Sequence, residues 1–296
     1  MKKTNQAFSL IELSVVLLIL GVLVAGVMTS SRMVDQFRKK SAQTLTQSSP
    51  VASIKNLVTW LESTSTASLD STVKDDGTVI ANWYDINPQL SAKNNAAPGT
   101  GPTYKNRCIN DLPCLQFNGS TQYLLSSLDN STTFIGESTT ITIFSVFSPT
   151  TINSALHWLI RTKGAYAEDD KSIFYGIHTD NKARYNSGND VDSDDTLDIG
   201  YTSSALTAKQ NYIHTVVDNN STIVHYLNGV STSTAADSGT KTLKVFAIGA
   251  YHNGTTAAEF FAGNLGEIII FDRALKAEER LSVEKYLSQK WSIKLS

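Results

Sequence analysis

The alternation of apolar and polar positions divides the chain into three stretches. From Phe8 to Met28 almost every residue is apolar, and Leu13 to Met28 carries no charge. A helix needs roughly 20 apolar residues to cross a bilayer, so this stretch predicts a membrane-spanning helix. From Thr29 to Gln47 the sequence turns polar, with apolar residues at Met33, Val34, Phe37 and Leu45 and no breaker before Ser48-Ser49-Pro50. The helix is therefore expected to continue beyond the membrane as a stalk, and with no proline before Pro50 no kink is expected.

Beyond residue 52 the pattern is that of short strands. Thr139 to Phe147 is β-branched and aromatic, as a buried strand should be, and Leu156–Ile160, Ile173–Ile177, Leu243–Ile248 and Glu267–Phe271 read the same way. Tyr212–Val217 and Thr222–Leu227 flank Asp218-Asn219-Asn220-Ser221 and predict a hairpin, with a second turn at Asn228-Gly229. Leu57–Leu61 fits helix or strand. Only Lys276–Gln289 has helical spacing near the C-terminal end, with Glu278 and Glu279 in the first turn, where the helix dipole favours acids. The expected architecture is an all-β sandwich or jelly roll over residues 52–296, preceded by a long transmembrane and stalk helix over 8–48 and closed by a short helix.

One charge breaks the apolar stretch. Glu12 stands near its start, and a charged group at the bilayer centre costs about 2.5–3.5 kcal/mol even on the lenient insertion scale, so such an acid is by default functional and has a partner. A cut between Ala7 and Phe8 would give Phe8 a free α-amino group one helical turn from Glu12. In a staggered bundle of identical helices, Glu12 of one subunit could meet the amine of the next. A secretory signal peptide or a plain anchor would also suit the apolar run, but neither accounts for Glu12. Lys2 and Lys3 face Arg32, Arg38, Lys39 and Lys40 across the span, against the usual positive-inside bias.

Lys2-Lys3, a small residue, Phe8 and then Ser9-Leu10-Ile11-Glu12 resemble the class III leader of type IV pilins and type II secretion pseudopilins, over residues 1 to about 40. The resemblance implies that residues 1–7 are a leader removed by a prepilin peptidase, that Phe8 is N-methylated, and that Glu12 serves assembly into a fibre. Ala7 stands where Gly is usual. The globular part resembles laminin-G-like domains of the concanavalin A-like lectin and glucanase superfamily. Its opening carries Leu57-Val58-Thr59-Trp60-Leu61, Asn82-Trp83-Tyr84-Asp85 and Leu115-Gln116-Phe117-Asn118-Gly119. Its close carries Leu265-Gly266-Glu267-Ile268-Ile269-Ile270-Phe271-Asp272-Arg273-Ala274-Leu275 and Tyr286 to Trp291. This resemblance implies a two-sheet jelly roll and tips Leu57–Leu61 towards strand.

Composition narrows the function. The 296 residues carry a net charge of -2, and losing Lys2 and Lys3 with the leader makes it -4, with no basic stripe for nucleic acid. Cys108 and Cys114 are the only cysteines, and in an exported chain they predict a disulfide closing a short loop. Glycoside hydrolysis needs two carboxylates across the scissile bond. The glucanase pattern Glu-x-Asp-x-Glu is absent, and the adjacent Glu168-Asp169-Asp170 would face alternate sides of a strand, so no enzyme is expected. Asp190, Asp192 and Asp194 alternate as oxygen ligands for calcium could, although position six of an EF-hand reading is Asp195 and position twelve is Tyr201, and a solvated acidic loop explains them as well. The five histidines, among them His157 and His178, are scattered, and His214 and His225, inside strands, read as ordinary sheet positions. Among loop aromatics (Tyr166, Tyr185, Tyr201, Tyr251), Tyr251 with His252 is the candidate ligand-binding pair.

The expected function is a minor pilin-like subunit, held in the bacterial inner membrane before assembly and then in a pilus or surface fibre, which displays a lectin-like domain for adhesion. Expected partners are other pilin or pseudopilin subunits, the prepilin peptidase and a carbohydrate ligand. A pseudopilin of a secretion system and a tethered carbohydrate-active enzyme are the alternatives. Glu12→Ala should insert into the membrane normally yet fail to enter fibres, as read by immunoblot of sheared surface material. Undiminished incorporation of the variant would count against the pairing with the Phe8 amine.

Overall fold

The computed structural model describes residues 10–73, 75–126, 138–162, 172–187, 199–236 and 245–296; within them the side chains of 26–29, 31–32, 187, 199–200 and 233–236 are not described. Helix α1 (Leu10–Gln47) runs unbroken for 38 residues, about 57 Å at 1.5 Å per residue. It ends where the sequence says it should. Ser49 is extended (φ -69°, ψ 153°), as the residue before a proline prefers, and Pro50 opens a single 3-10 turn to Ser53. The described side chains from Leu10 to Val24 are exposed, Leu10 by 83% and Leu18 by 68%. The membrane-spanning helix expected over Phe8–Met28 is thus not shown: among the described residues no helix is long and apolar enough to cross a membrane.

Seventeen strands follow in the described residues. They are β1 (Leu57–Glu62), β2 (Ala96–Thr100), β3 (Thr103–Ile109), β4 (Leu112–Asn118), β5 (Tyr123–Ser126), β6 (Ile141–Pro149), β7 (His157–Thr162), β8 (Ile173–Ile177) and β9 (Ala183–Ser187). The rest are β10 (Ile199–Tyr201), β11 (Tyr212–Asp218), β12 (Thr222–Leu227), β13 (Val230–Ala236), β14 (Phe246–Ile248), β15 (Tyr251–His252), β16 (Ala257–Ala258) and β17 (Ala262–Phe271), before helix α2 (Ala277–Trp291). One antiparallel sheet has the order β13-β12-β11-β6-β17-β4-β3, with β1 also on β17, and the second has the order β10-β9-β8-β7-β14-β5-β2. Leu57–Leu61 is strand, as the resemblance implied, and the Asn228-Gly229 turn has the two positive φ values (50° and 83°) of a tight hairpin.

Three layers result. Ile143, Phe147, Val216, Ile268 and Ile270 of the first sheet meet Ile160, Ile173, Tyr175 and Ile248 of the second in the main core. The opposite face of the first sheet, with Trp60, Phe144, Val146, Ile213, Ile269 and Phe271, packs under α2 and the end of α1 through Ala42, Val283, Leu287 and Trp291. This second core joins the helical stalk to the sandwich.

A charge cluster lies in that second core. Lys290 Nζ on α2 is 2.9 Å from Glu62 Oε2 on β1 and 2.9 Å from Glu267 Oε2 on β17, all three fully or almost fully buried. Glu267 also accepts from Trp60 Nε1 at 2.7 Å, Trp291 Nε1 at 2.8 Å and the Tyr286 hydroxyl at 2.8 Å. Glu62 Oε2 accepts from the amide and hydroxyl of Thr64, both at 2.7 Å. Burial pulls the Lys290 ammonium down, but Glu267 and Glu62 outweigh it and hold the group above the usual lysine range. Gly266 lets β17 approach α2 here: a Cβ would sit 2.7 Å from the Trp291 ring. From α1, Thr46 Oγ1 lies 3.3 Å from the Tyr286 hydroxyl, so the stalk reaches the same cluster.

The main core holds a second polar group. His214 on β11 and His225 on β12 are buried and stacked 5.1 Å apart, with His214 Nε2 2.9 Å from His225 Nδ1. Tyr175 stacks on His214 at 5.2 Å, and its hydroxyl meets Ser145 Oγ at 2.5 Å. Burial pushes His225 down to about 3, and burial with the neighbouring imidazole pushes His214 well below its ordinary value. Both are neutral in the folded protein.

Lys290→Met should cost about 3–5 kcal/mol in urea denaturation at pH 7, because it strands two buried carboxylates, and adding Glu62→Gln should recover part of that loss. A loss under 1 kcal/mol would show that the cluster does not hold the joint. For the histidine pair, the folded state keeps both rings neutral while the unfolded chain takes up protons near pH 6.5. Stability is therefore full above about pH 6.5 and falls below it by about 1.4 kcal/mol per pH unit for each histidine. The urea midpoint should drop between pH 7 and 5, and His214→Phe with His225→Leu should flatten that drop; an unchanged slope would refute the assignment.

Candidate functional site

The outer face of the second sheet carries an arginine enclosed by aromatic rings. Along β7 and β8, Ile160 and Tyr175 turn into the main core while Trp158 and Phe174 join a separate cluster with Tyr251 from β15. Arg161 reaches into this cluster. Its guanidinium carbon is 3.6 Å from the centroid of the Tyr251 ring, 4.5 Å from Phe174 and 5.1 Å from Trp158. Glu259 Oε2 accepts from Arg161 Nη1 at 3.0 Å and also from Trp158 Nε1. Arginine over aromatic faces gains about 2 kcal/mol or more when desolvated, and the carboxylate fixes the fork in place.

Exposure separates the partners. The Arg161 side chain is 2% exposed and that of Glu259 27%, so the carboxylate is the part that meets solvent. Trp158, Phe174 and Tyr251 are buried, and in this arrangement their rings grip the guanidinium. Beside them Tyr123 lies against His252 at 5.5 Å and Phe260 at 6.3 Å, and His157 is fixed through Phe260 O at 2.7 Å and Asn153 Oδ1 at 2.8 Å. The face thus combines aromatic rings and an arginine on β7, β8 and β15 with an acid, Glu259, from the segment between β16 and β17.

The residues expected from the sequence fall out as follows. Cys108 and Cys114 form a disulfide, with Cα atoms 5.7 Å apart, across the β3–β4 hairpin. Tyr251 and His252 are neighbours in β15 and both are buried; Tyr251 packs on Arg161, and His252 Nδ1 accepts from the Gly254 amide at 3.0 Å. Tyr185 is core, donating to Asp218 Oδ2 at 3.0 Å, and Tyr201 lies against His178 at 5.7 Å. Glu12 is exposed on α1. Ala7, Phe8, Tyr166, Asp190, Asp192 and Asp194 lie outside the described residues. Among the described residues no group of three or more His, Cys, Asp or Glu is placed to hold a metal.

Arg161, Trp158 and Glu259 were not singled out from the sequence. Their signal is faint: Trp158-Leu159-Ile160-Arg161 puts an arginine in an apolar strand, where it must find a partner, but the partner is 98 residues further along.

Comparisons with known proteins agree with this architecture. Residues 2–28 match the prokaryotic N-terminal methylation motif. The fold is similar to Trypanosoma rangeli sialidase in complex with sialic acid, at 13% identity and a TM-score of 0.53, covering 82% of this chain and 34% of that one. It is also similar to a mutant of that sialidase displaying trans-sialidase activity, at 13% identity and a TM-score of 0.54, covering 90% of this chain and 40% of that one. The chain thus spans two fifths or less of these sialidase chains, and at such identities the likeness is one of fold alone. No curated protein matches. Residues 118–279, more than half of the sequence, match the concanavalin A-like lectin/glucanases superfamily, and the chain belongs to that superfamily.

Proposed function

We propose that this protein is a minor pilin-like subunit that carries a lectin-like domain for adhesion or surface recognition. The observation that carries the reading is the union, in one chain, of an N-terminal methylation motif over residues 2–28 with a jelly roll packed onto the far end of the same unbroken helix. On this reading the prepilin peptidase cuts between Ala7 and Phe8 and the Phe8 amine is methylated. The apolar run from Phe8 to Met28 holds the subunit in the inner membrane until assembly. Glu12 then pairs with the amine of a neighbouring subunit, and the span leaves the bilayer for the core of a fibre. A domain of roughly 245 residues would crowd every position of a thin fibre, which favours a minor or tip location.

The ligand class that suits the domain is carbohydrate. It rests on membership of a lectin and glucanase superfamily, with the Glu259 carboxylate held by Arg161 as the polar group exposed on the second sheet's outer face. Calcium held by Asp190, Asp192 and Asp194 belongs to the same reading, as a brace for a binding loop, and a rise in melting temperature on adding Ca²⁺ checks it. No catalysis is assigned, since the Glu-x-Asp-x-Glu pattern is absent from the sequence.

Deleting the gene should reduce attachment of cells to glycan-coated surfaces several-fold while leaving the export of secreted proteins unchanged. Blocked secretion with normal attachment would overturn the adhesin reading in favour of a pseudopilin. Turnover of a polysaccharide by purified protein would overturn the assignment of a non-enzymatic role.

A further inference from the structure

The outer face of the first sheet is covered by α2 only in part, and the uncovered part is built differently. On β4, β17 and β6, Leu115, Phe117, Leu265 and Phe147 turn into the main core. The intervening Gln116, Asn264 and Ser148 therefore turn outward. They are register partners on neighbouring strands, Asn264 lying opposite Gln116 on one side and Ser148 on the other. Where α2 covers this face the outward residues are apolar, as at Phe144, Val146 and Ile269. Here the row changes to amides and a hydroxyl.

Two walls turn this row into a cleft. One is the disulfide hairpin, with Cys108, Asn110 and Asp111; the other is formed by Thr150, Lys209 and Asn211. Together with Ser148 and Asn264 they enclose about 410 Å³, inside the range of about 300–1,000 Å³ usual for ligand sites.

The walls are braced. Asn110 Nδ2 donates to Trp291 O at 2.8 Å and Ser292 O at 3.0 Å, and its Oδ1 accepts from Asn211 Nδ2 at 2.9 Å. Gln116 Nε2 donates to Asn264 Oδ1 at 3.3 Å, and Arg38 on the stalk holds Asp111 Oδ2 at 2.7 Å. Asn110 is engaged at both ends, whereas Asn211, Asn264 and Asp111 each commit one half of a two-ended side chain. The other halves are left for the cleft: the Asn264 amino group as donor, the Asn211 carbonyl and Asp111 Oδ1 as acceptors. Ser148 Oγ, Thr150 Oγ1 and Lys209 Nζ make no side-chain hydrogen bond among the described residues.

This mixture selects a ligand type. An anion would want donors only, and an apolar molecule would leave every group unpaired at a cost. Vicinal hydroxyls each donate once and accept as well, and so match a wall where donors and acceptors lie side by side. We propose that this cleft binds a carbohydrate ring through its vicinal hydroxyls, at a site separate from the Arg161 face; the inference rests on the carbohydrate reading of the domain. With no aromatic plate in the cleft, affinity for a monosaccharide is weak, with a Kd on the order of 1 mM. Because Asp111 is tied to Arg38, the occupied cleft sits against the stalk.

The test is saturation-transfer NMR on the full chain, held in a zwitterionic detergent whose headgroup is not a sugar. The probes are methyl α-D-mannopyranoside, methyl β-D-galactopyranoside, N-acetylglucosamine and glucuronic acid. At least one should bind, and Asn264→Leu should weaken it tenfold or more. Thr150→Val, which keeps the shape and removes only the hydroxyl, should weaken it about threefold, with unchanged melting temperature confirming that the variant is folded. Equal binding by wild type and both variants would overturn the cleft while leaving the carbohydrate reading of the domain in place. No transfer from any probe to the wild type would overturn both.

Discussion

The ammonium of Lys290, gripped by Glu62 and Glu267, is the interaction on which the architecture converges. It links the first strand, the last strand and the closing helix, which are separated by up to 228 residues. A buried pair of this kind is weak evidence for net stability, since desolvating three charges costs several kcal/mol each. Its consequence is geometric. The two indole donors and the Tyr286 hydroxyl around Glu267 leave the carboxylate one orientation, and that orientation fixes how α2 lies on the sheet. Because Thr46 of α1 meets the same hydroxyl, the stalk is referred to the same point.

The rest of the joint follows from that reference. Arg107 to Asp35 and Arg38 to Asp111 bridge the disulfide hairpin to α1, and Lys39 reaches the Tyr104 hydroxyl at 3.1 Å. Exposed pairs of this sort contribute little to stability and are screened by salt. They align the stalk; the apolar contacts of Ala42 and Val51 under α2 hold it. The disulfide adds about 2–3 kcal/mol on the chain-entropy account and keeps the hairpin in shape for both bridges. A domain so fixed is carried as a rigid extension of the helix.

Much of this was legible in the sequence. The helix and its end at Gln47, the β6, β8, β11 and β12 strands and the C-terminal helix follow from periodicity and breakers within a residue or two. The family motifs were recognisable without their reasons, which packing supplies: Asp85, in the Asn82-Trp83-Tyr84-Asp85 segment, accepts from the amides of Trp60, Asn87 and Asn94 and pins that loop to β1. β13 was missed because Ser231-Thr232-Ser233-Thr234 has no apolar face to reveal it. The charge cluster was missed because Glu62 and Lys290 look like surface residues in one dimension, and Glu267 was read only as the start of a strand. The histidine pair needed strand register, and the Arg161 face and the amide cleft needed tertiary contacts between distant segments.

The most direct test of the account is the distance between stalk and sandwich. Spin labels on cysteines introduced at Gln36 of α1 and Asn253 in the β15–β16 turn, with the native disulfide intact, can be measured by pulsed electron resonance on the full chain. A rigid joint predicts one narrow distance distribution that broadens on Lys290→Met. A broad distribution in the wild type would contradict it.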